Sequence, residues 1–162
     1  MTDIEERWTA ADDPLAQPLI DDLARDYRSR YGAEGASAEM RRYPAELFTP
    51  EYGGDFLILL SDGELVAGGA FTRIDPETAE IKRVWTNPSY RRRGHSRQVM
   101  AALERRAREN GYTAVELTSG WRQPEAVALY LSLGYRALFD LEGDLKRIGY
   151  LSFAKSLSAT AG

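Results

Sequence analysis

Between Glu80 and Ser96 a strand signal, a tight basic turn and the start of a helix follow one another without interruption. Glu80–Thr86 reads as a strand, and Asn87-Pro88 ends it. Arg91-Arg92-Arg93-Gly94 turns the chain. Val99, Met100, Leu103 and Ala107 then recur at helical spacing, and Asn110-Gly111 supplies the stop. A strand that feeds a helix this way commits the chain to a sheet with a helix packed on it. The turn also carries chemistry. A helix leaves about four N–H groups unpaired in its first turn, and its dipole adds positive potential there. Gly94 removes a side chain that would block a close ligand, Ser96 can donate a hydroxyl, and the arginines add full charges. Together they suit a diphosphate. The plain alternative is a solvated arginine face before an ordinary helix. No Lys-Ser/Thr follows a glycine pair and no Gly-x-Gly-x-x-Gly is present, so neither common nucleotide loop applies.

The remaining elements fit around this unit. Ile4–Thr9 reads as a strand, and Asp12-Asp13-Pro14 opens an amphipathic helix with Leu15, Leu19 or Ile20, and Leu23 on one face. Asp26 to Tyr52 reads as loop or short helix. Phe56–Leu60 ends at Ser61-Asp62-Gly63, a hairpin turn, and Glu64–Arg73 follows. Gly68-Gly69 inside that strand predicts a bulge or the close approach of another backbone. Asp75-Pro76-Glu77 turns the chain into Glu80–Thr86. Ala114–Thr118 is a strand, and Ala126, Val127, Leu129, Tyr130 and Leu133 form a helix behind Pro124 and ahead of Gly134. Tyr135–Phe139 and Tyr150–Lys155 are the last strands. The prediction is a mixed α+β fold, with a central mixed sheet flanked by helices in one domain over 1–162.

Composition narrows the chemistry. The 162 residues, 43% of them hydrophobic, suit one compact core. There is no cysteine, which excludes disulfides, thiolate metal sites and cysteine nucleophiles. A single histidine excludes a multi-histidine metal site, and no metal is expected. The net charge is −4, but Lys82 to Arg108 holds nine cations against Glu104 alone, a band of +8 in a chain otherwise at −12. No signal-peptide pattern or membrane-length apolar run appears, so a cytoplasmic protein without membrane or nucleic-acid partners is expected.

Two segments carry a resemblance. Arg91-x-x-Gly94-x-Ser96 resembles the acyl-CoA pyrophosphate loop of the GNAT superfamily of N-acetyltransferases, with Ser96 where the family has Gly or Ala. Gln123-Pro124-Glu125-Ala126-Val127-Ala128-Leu129-Tyr130-Leu131-Ser132-Leu133-Gly134-Tyr135 is similar to the family's later helix, often Asn-x-x-Ala-x-x-x-Tyr before Leu-Gly-Phe/Tyr, with Gln123 in place of Asn. The likeness runs from about Asp12 to Lys155. It implies a GNAT-like fold with a mostly antiparallel twisted sheet, and acetyl-CoA as co-substrate.

The resemblance also implies roles. Tyr130 would sit beside the CoA sulfur and protonate the departing thiolate; otherwise it is a core tyrosine. Glu80 would take a proton from the attacking amine; otherwise it is a surface charge paired with Lys82. Val84, Trp85 and Thr86 would pair through backbone groups with the pantetheine arm. Arg91, Gly94, Ser96 and the main-chain N–H of His95 would hold phosphate, with the imidazole incidental. Arg92, Arg93 and Arg97 would meet the pyrophosphate or the 3′-phosphate. Gln123 and Ala126 complete the cofactor set. Trp121 and Arg122 line the acceptor side or a surface loop. Tyr27, Arg28, Tyr31, Arg41, Arg42, Tyr43 and Tyr52 mark the acceptor region.

The expected activity is acetyl transfer from acetyl-CoA to a primary amine of a small molecule. Without cysteine no enzyme thioester can form, which favours direct attack in a ternary complex. The alternatives are a protein lysine or N-terminal acetyltransferase, and a non-catalytic acyl-CoA-binding module. A homodimer is a further expectation.

Overall fold

The computed structural model describes residues 3–120 and 124–157. Within these residues seven strands form one sheet: β1 (Ile4–Thr9), β2 (Asp55–Ser61), β3 (Glu64–Asp75), β4 (Thr78–Thr86), β5 (Ala114–Gly120), β6 (Arg136–Ala137) and β7 (Tyr150–Ser156). Among the described residues four α-helices accompany them: α1 (Gln17–Arg42), α2 (His95–Glu109), α3 (Pro124–Ser132) and α4 (Leu145–Ile148). The strand order is β1-β2-β3-β4-β5-β7-β6. Every neighbouring pair is antiparallel except β4 and β5. This is the mixed, mostly antiparallel sheet that the sequence predicts. Among the described residues no helix is long and apolar enough to cross a membrane.

Two cores lie on opposite faces of the sheet. On one, α2 packs Val99, Met100, Leu103 and Ala107 against Leu57, Phe71, Ile81, Val115 and Phe153. On the other, Leu19 and Leu23 of α1 meet Phe48, Phe56, Ile58, Ala70 and Trp85. The Gly68-Gly69 pair explains how both helices come so near. A Cβ on Gly68 would stand 2.5 Å from Leu19 Cδ1, and one on Gly69 would stand 2.8 Å from Val99 Cγ1. One glycine thus makes room for α1 and the next for α2, while the ladder to β4 shifts register between Gly68 and Ala70. The close approach is present, chiefly by helix side chains, whereas the extra residue at this register shift lies in β4 and not in the glycine strand.

Three sequence readings are corrected. The stretch read as loop or short helix from Asp26 continues α1 as far as Arg42, with a kink at Gly32 (φ 81°, ψ 168°). Leu15, expected on the apolar face, is exposed and lies in a 3-10 turn that Asp13 caps through Leu15 N at 2.8 Å. The strand expected at Tyr135–Phe139 shrinks to two residues, and α4 was not foreseen.

α2, β7 and the end of α3 are tied by a half-buried cluster. Lys155 Nζ donates to Glu104 Oε1 and to the Leu133 carbonyl, both at 2.9 Å, and Tyr135 Oη donates to Glu104 Oε2 at 2.8 Å. Burial, then the Glu104 charge, pushes the Tyr135 phenol up. The cluster explains Glu104, the lone anion within the basic band. It neutralises Lys155 instead of facing solvent.

Candidate active site

β4 and β5 pair only at their first residues, Thr78–Ala114, Ala79–Val115 and Glu80–Glu116. Both strands continue, to Thr86 and Gly120, without further pairing to each other. The cause lies in β4. Lys82 opposes Ala70 and Trp85 opposes Gly68, so β4 spends three steps where β3 spends two. Arg83 absorbs the extra residue with a left-handed φ of 60°. Such a bulge bends its strand and increases its twist. It also places successive side chains on one face: Lys82 Nζ lies 4.1 Å over the Tyr43 ring, and the Arg83 guanidinium lies 4.7 Å over Phe48. The parted strands open a cleft of about 1000 Å³.

One end of the cleft is the arginine turn. Asn87 caps a single 3-10 turn through Ser89 N, then Arg92 (φ 64°) and Gly94 (φ 80°) take left-handed conformations and α2 begins. The first intrahelical bond runs from Gln98 N to Gly94 O. The N–H groups of His95, Ser96 and Arg97 therefore precede the helical ladder, an anion-binding arrangement. Thr86 and Ser96 hydroxyls meet at 2.9 Å, joining the end of β4 to this turn. Arg91, Arg92, Gly94, His95, Ser96 and Arg97 all line the cleft. Arg93 is not among the lining residues; its guanidinium lies 5.2 Å over the Tyr90 ring. Arg97 also donates to Ser132 Oγ of α3 at 2.8 Å. Among the described residues no atom lies within 4 Å of a Cβ placed on Gly94. Its positive φ, and the open cleft beside it, are what call for glycine.

The opposite wall is α3, with Glu125, Ala126, Leu129 and Tyr130. Gly134 (φ 92°) ends this segment, with Tyr135 N donating to Tyr130 O at 3.0 Å. The Tyr130 ring packs edge-on against Phe153 at 5.5 Å and Tyr135 at 6.0 Å. Burial pushes its phenol up to about 12. Val84, Trp85 and Thr86 line the cleft from β4. Trp121, Arg122 and Gln123 lie outside the described residues.

Glu80 stands elsewhere. It sits at the last β4–β5 pair, is not among the lining residues, and accepts a hydrogen bond from Tyr43 Oη at 2.9 Å. Arg83 donates to the Tyr43 carbonyl at 2.7 Å, fixing the residue that covers Glu80.

The third wall is α1, and of its lining residues only Tyr27 is among those expected at the acceptor region. α1 contributes Asp22, Leu23, Arg25, Asp26, Tyr27 and Arg30. Trp85 Nε1 donates to Asp22 Oδ2 at 2.6 Å, and Arg30 Nε donates to Asp26 Oδ1 at 2.9 Å. Arg30 reaches on toward Glu125 of α3 at 3.9 Å, so the two helices approach across the cleft. The Asp26 carboxylate accepts from Arg30 and raises the guanidinium's proton affinity. The available signal was the four-residue spacing of Asp22, Asp26 and Arg30, one stripe of a helix. Of the residues expected to mark the acceptor region, Tyr27 lines the cleft and Tyr43 holds Glu80. Arg28, Arg41, Arg42 and Tyr52 are exposed and do not line it. Among the described residues no group of three His, Asp or Glu side chains is placed to hold a metal ion.

The comparisons agree with this geometry. A search of curated proteins returned no match. A Klebsiella pneumoniae protein assigned as an acyl-CoA N-acyltransferase superposes with a TM-score of 0.73 at 25% identity, covering 97% of this chain and 98% of that one. The PaiA N-acetyltransferase of Thermoplasma acidophilum, solved in complex with coenzyme A, gives 0.71 at 17% identity, covering 95% and 99%. YncA of Salmonella typhimurium, assigned as an acetyltransferase and solved with its cofactor acetyl-CoA, gives 0.67 at 15% identity, covering 98% and 97%. The last two show a shared fold. A profile of the Acetyltransferase (GNAT) family matches residues 17–135, which spans α1, the bulged β4, the arginine turn and α3. The chain belongs to the GNAT acetyltransferase family, whose members transfer acyl groups from acyl-CoA to nitrogen.

Proposed function

We propose that the protein transfers acetyl from acetyl-CoA to the primary amine of a small molecule, by direct attack in a ternary complex. The observation that carries this is the cleft itself: one opening holds a basic helix N-terminus, a β4 edge without a ladder partner, and a half-buried tyrosine. Arg91, Arg92, Arg97 and the first-turn N–H groups of α2 hold the diphosphate. The β4 main chain from Val84 to Thr86 offers N–H and C=O groups to the amide-bearing arm, as a neighbouring strand would. The thioester that acetyl-CoA supplies then lies beside Tyr130.

The amine nitrogen bonds to the thioester carbonyl carbon, and the carbon–sulfur bond breaks. A phenol raised to about 12 stays protonated throughout the neutral range. Tyr130 is then a weaker acid than a thiol, near 8.5. It stabilises the leaving thiolate as a hydrogen-bond donor, with proton transfer late. The proton lost by nitrogen goes to Glu80. That carboxylate and the Tyr43 hydroxyl bonded to it both stand outside the cleft lining, so the proton reaches it through water. The amine enters along α1, where Asp22, Asp26 and Glu125 favour a cationic acceptor and Arg25, Arg30 and Lys82 admit one that also carries an acidic group.

The test is thiol release from acetyl-CoA across amino acids, polyamines, aminoglycosides and short peptides. At least one small amine should give saturable release with a matching acetylated product. Turnover of peptides alone would overturn the small-molecule reading.

A further inference from the structure

His95, the only histidine of the chain, lines the cleft as the first residue of α2. Its Nδ1 is buried and has no hydrogen-bond partner among the described residues. The residue as a whole is only half-buried. The ring's Nδ1 edge is therefore turned into the protein, and its remaining edge, which carries Nε2, is the part left to meet the cleft that the residue lines. Tyr90 packs against it, ring centroids 6.2 Å apart at 63°. Burying an N–H without an acceptor is among the costlier defects a protein can carry, and orphaned acceptors are better tolerated. A neutral imidazole carries one proton on one of its two nitrogens. This site selects the form with Nδ1 bare and the proton on Nε2, so a fixed donor faces the cleft. The same end of the cleft is lined by Arg91, Arg92 and Arg97 and the first-turn N–H groups of α2, all donors, and by the Thr86 and Ser96 hydroxyls, which can donate as well. One kind of ligand satisfies such a set: an anion rich in acceptor oxygens.

We propose that the His95 side chain donates Nε2–H to the diphosphate of bound acyl-CoA, so that the imidazole is a binding group and not an incidental one. The inference rests on the proposed reading of the cleft as an acyl-CoA site. Because the histidine is unique, labelling histidine with 15N gives two ring signals that need no assignment to sequence. In the free protein at mildly alkaline pH, Nε2 should carry the proton. Coenzyme A should move the Nε2 signal and leave Nδ1 unprotonated, and so should 3′-phospho-ADP, which keeps the diphosphate and lacks the pantetheine arm. In isothermal titration, His95→Leu should weaken coenzyme A binding roughly tenfold or more, as loss of a hydrogen bond to a charged group does. His95→Gln, whose amide N–H reaches a similar position, should stay within about threefold of the wild type. A proton on Nδ1, an Nε2 signal that neither ligand moves, or full affinity in His95→Leu overturns the inference. Wild-type protein that binds no coenzyme A overturns the proposed function as well, whereas tight binding with a silent His95 overturns this inference alone.

Discussion

Gly69→Ala tests how the sheet and α2 are fitted together. The new Cβ would stand 2.8 Å from Val99 Cγ1 and 3.0 Å from Leu103 Cδ1. Carbon atoms pack comfortably at about 3.5–4.0 Å. Leu103 can turn away, but Val99 is β-branched on a helix and has one favoured rotamer. Either α2 rises by several tenths of an ångström or Val99 leaves its rotamer. Overpacking of this kind costs about 1–3 kcal/mol. Gly69 has no positive φ, so alanine regains about 0.4–1 kcal/mol by restricting the unfolded chain. The net loss should be about 1–2 kcal/mol, or a fall in Tm of roughly 2–8 °C for a domain of this size. Calorimetry of a double-mutant cycle gives the decisive reading. Val99→Ala removes the clashing carbon, so Gly69→Ala in that background should be neutral or stabilising. Equal losses in both backgrounds, or no loss in either, would refute the packing argument.

Other consequences follow from the same structure. Tyr130→Phe should lower kcat about 100-fold or more while leaving the Kd for coenzyme A within about twofold, because the hydroxyl acts on the leaving group. A matched loss of affinity, or an unchanged kcat, would remove Tyr130 from the chemistry. Burial holds the Tyr130 phenol at about 12, whereas an unfolded tyrosine ionises near 10. The folded form keeps its proton over that interval and the unfolded form loses it, so this stabilisation is complete below about pH 10 and lost toward pH 12. The Tyr130 share is on the order of 3 kcal/mol, and Tyr135 adds in the same direction. Urea midpoints should fall across that range, and a flat profile contradicts it. Lys155→Met strands the buried Glu104 carboxylate and should cost about 2–4 kcal/mol in urea unfolding, with much of it recovered in Glu104→Gln/Lys155→Met. Additive losses would mean the two groups do not interact.

What could be read from the residues divides along physical lines. The β2–β3 hairpin, the strand–turn–helix unit at β4 and α2, and the glycine pair between two helices rest on local signals: turn chemistry, helical periodicity and the absence of a side chain. The Arg91-x-x-Gly94-x-Ser96 turn was legible for the same reason, since a helix N-terminus needs only its own residues. The second half of α1 was not. Its described side chains from Asp26 to Arg42 form no buried apolar stripe, and the stretch contains Gly32 and Gly35, so no periodicity marks it. Asp26 and Arg30 were lost with it. Glu80 shows a second limit. Its position on β4 was readable, but its placement under Tyr43 depends on a contact 37 residues away in sequence. The β4 bulge sets which face Lys82 and Arg83 take, and alternation alone cannot foresee an inserted residue. His95 shows a third, because its neighbours, not its place in the motif, decide which ring nitrogen faces the ligand.

The most direct test of the account is isothermal titration of acetyl-CoA into the wild-type protein. Saturable one-to-one binding is expected, weakened by salt and by Arg91→Ala, because that guanidinium lies with the free N–H groups of α2 in the cleft. No binding at millimolar acetyl-CoA, or binding indifferent to both salt and Arg91, would contradict the claim that the parted strands and the arginine turn form an acyl-CoA site.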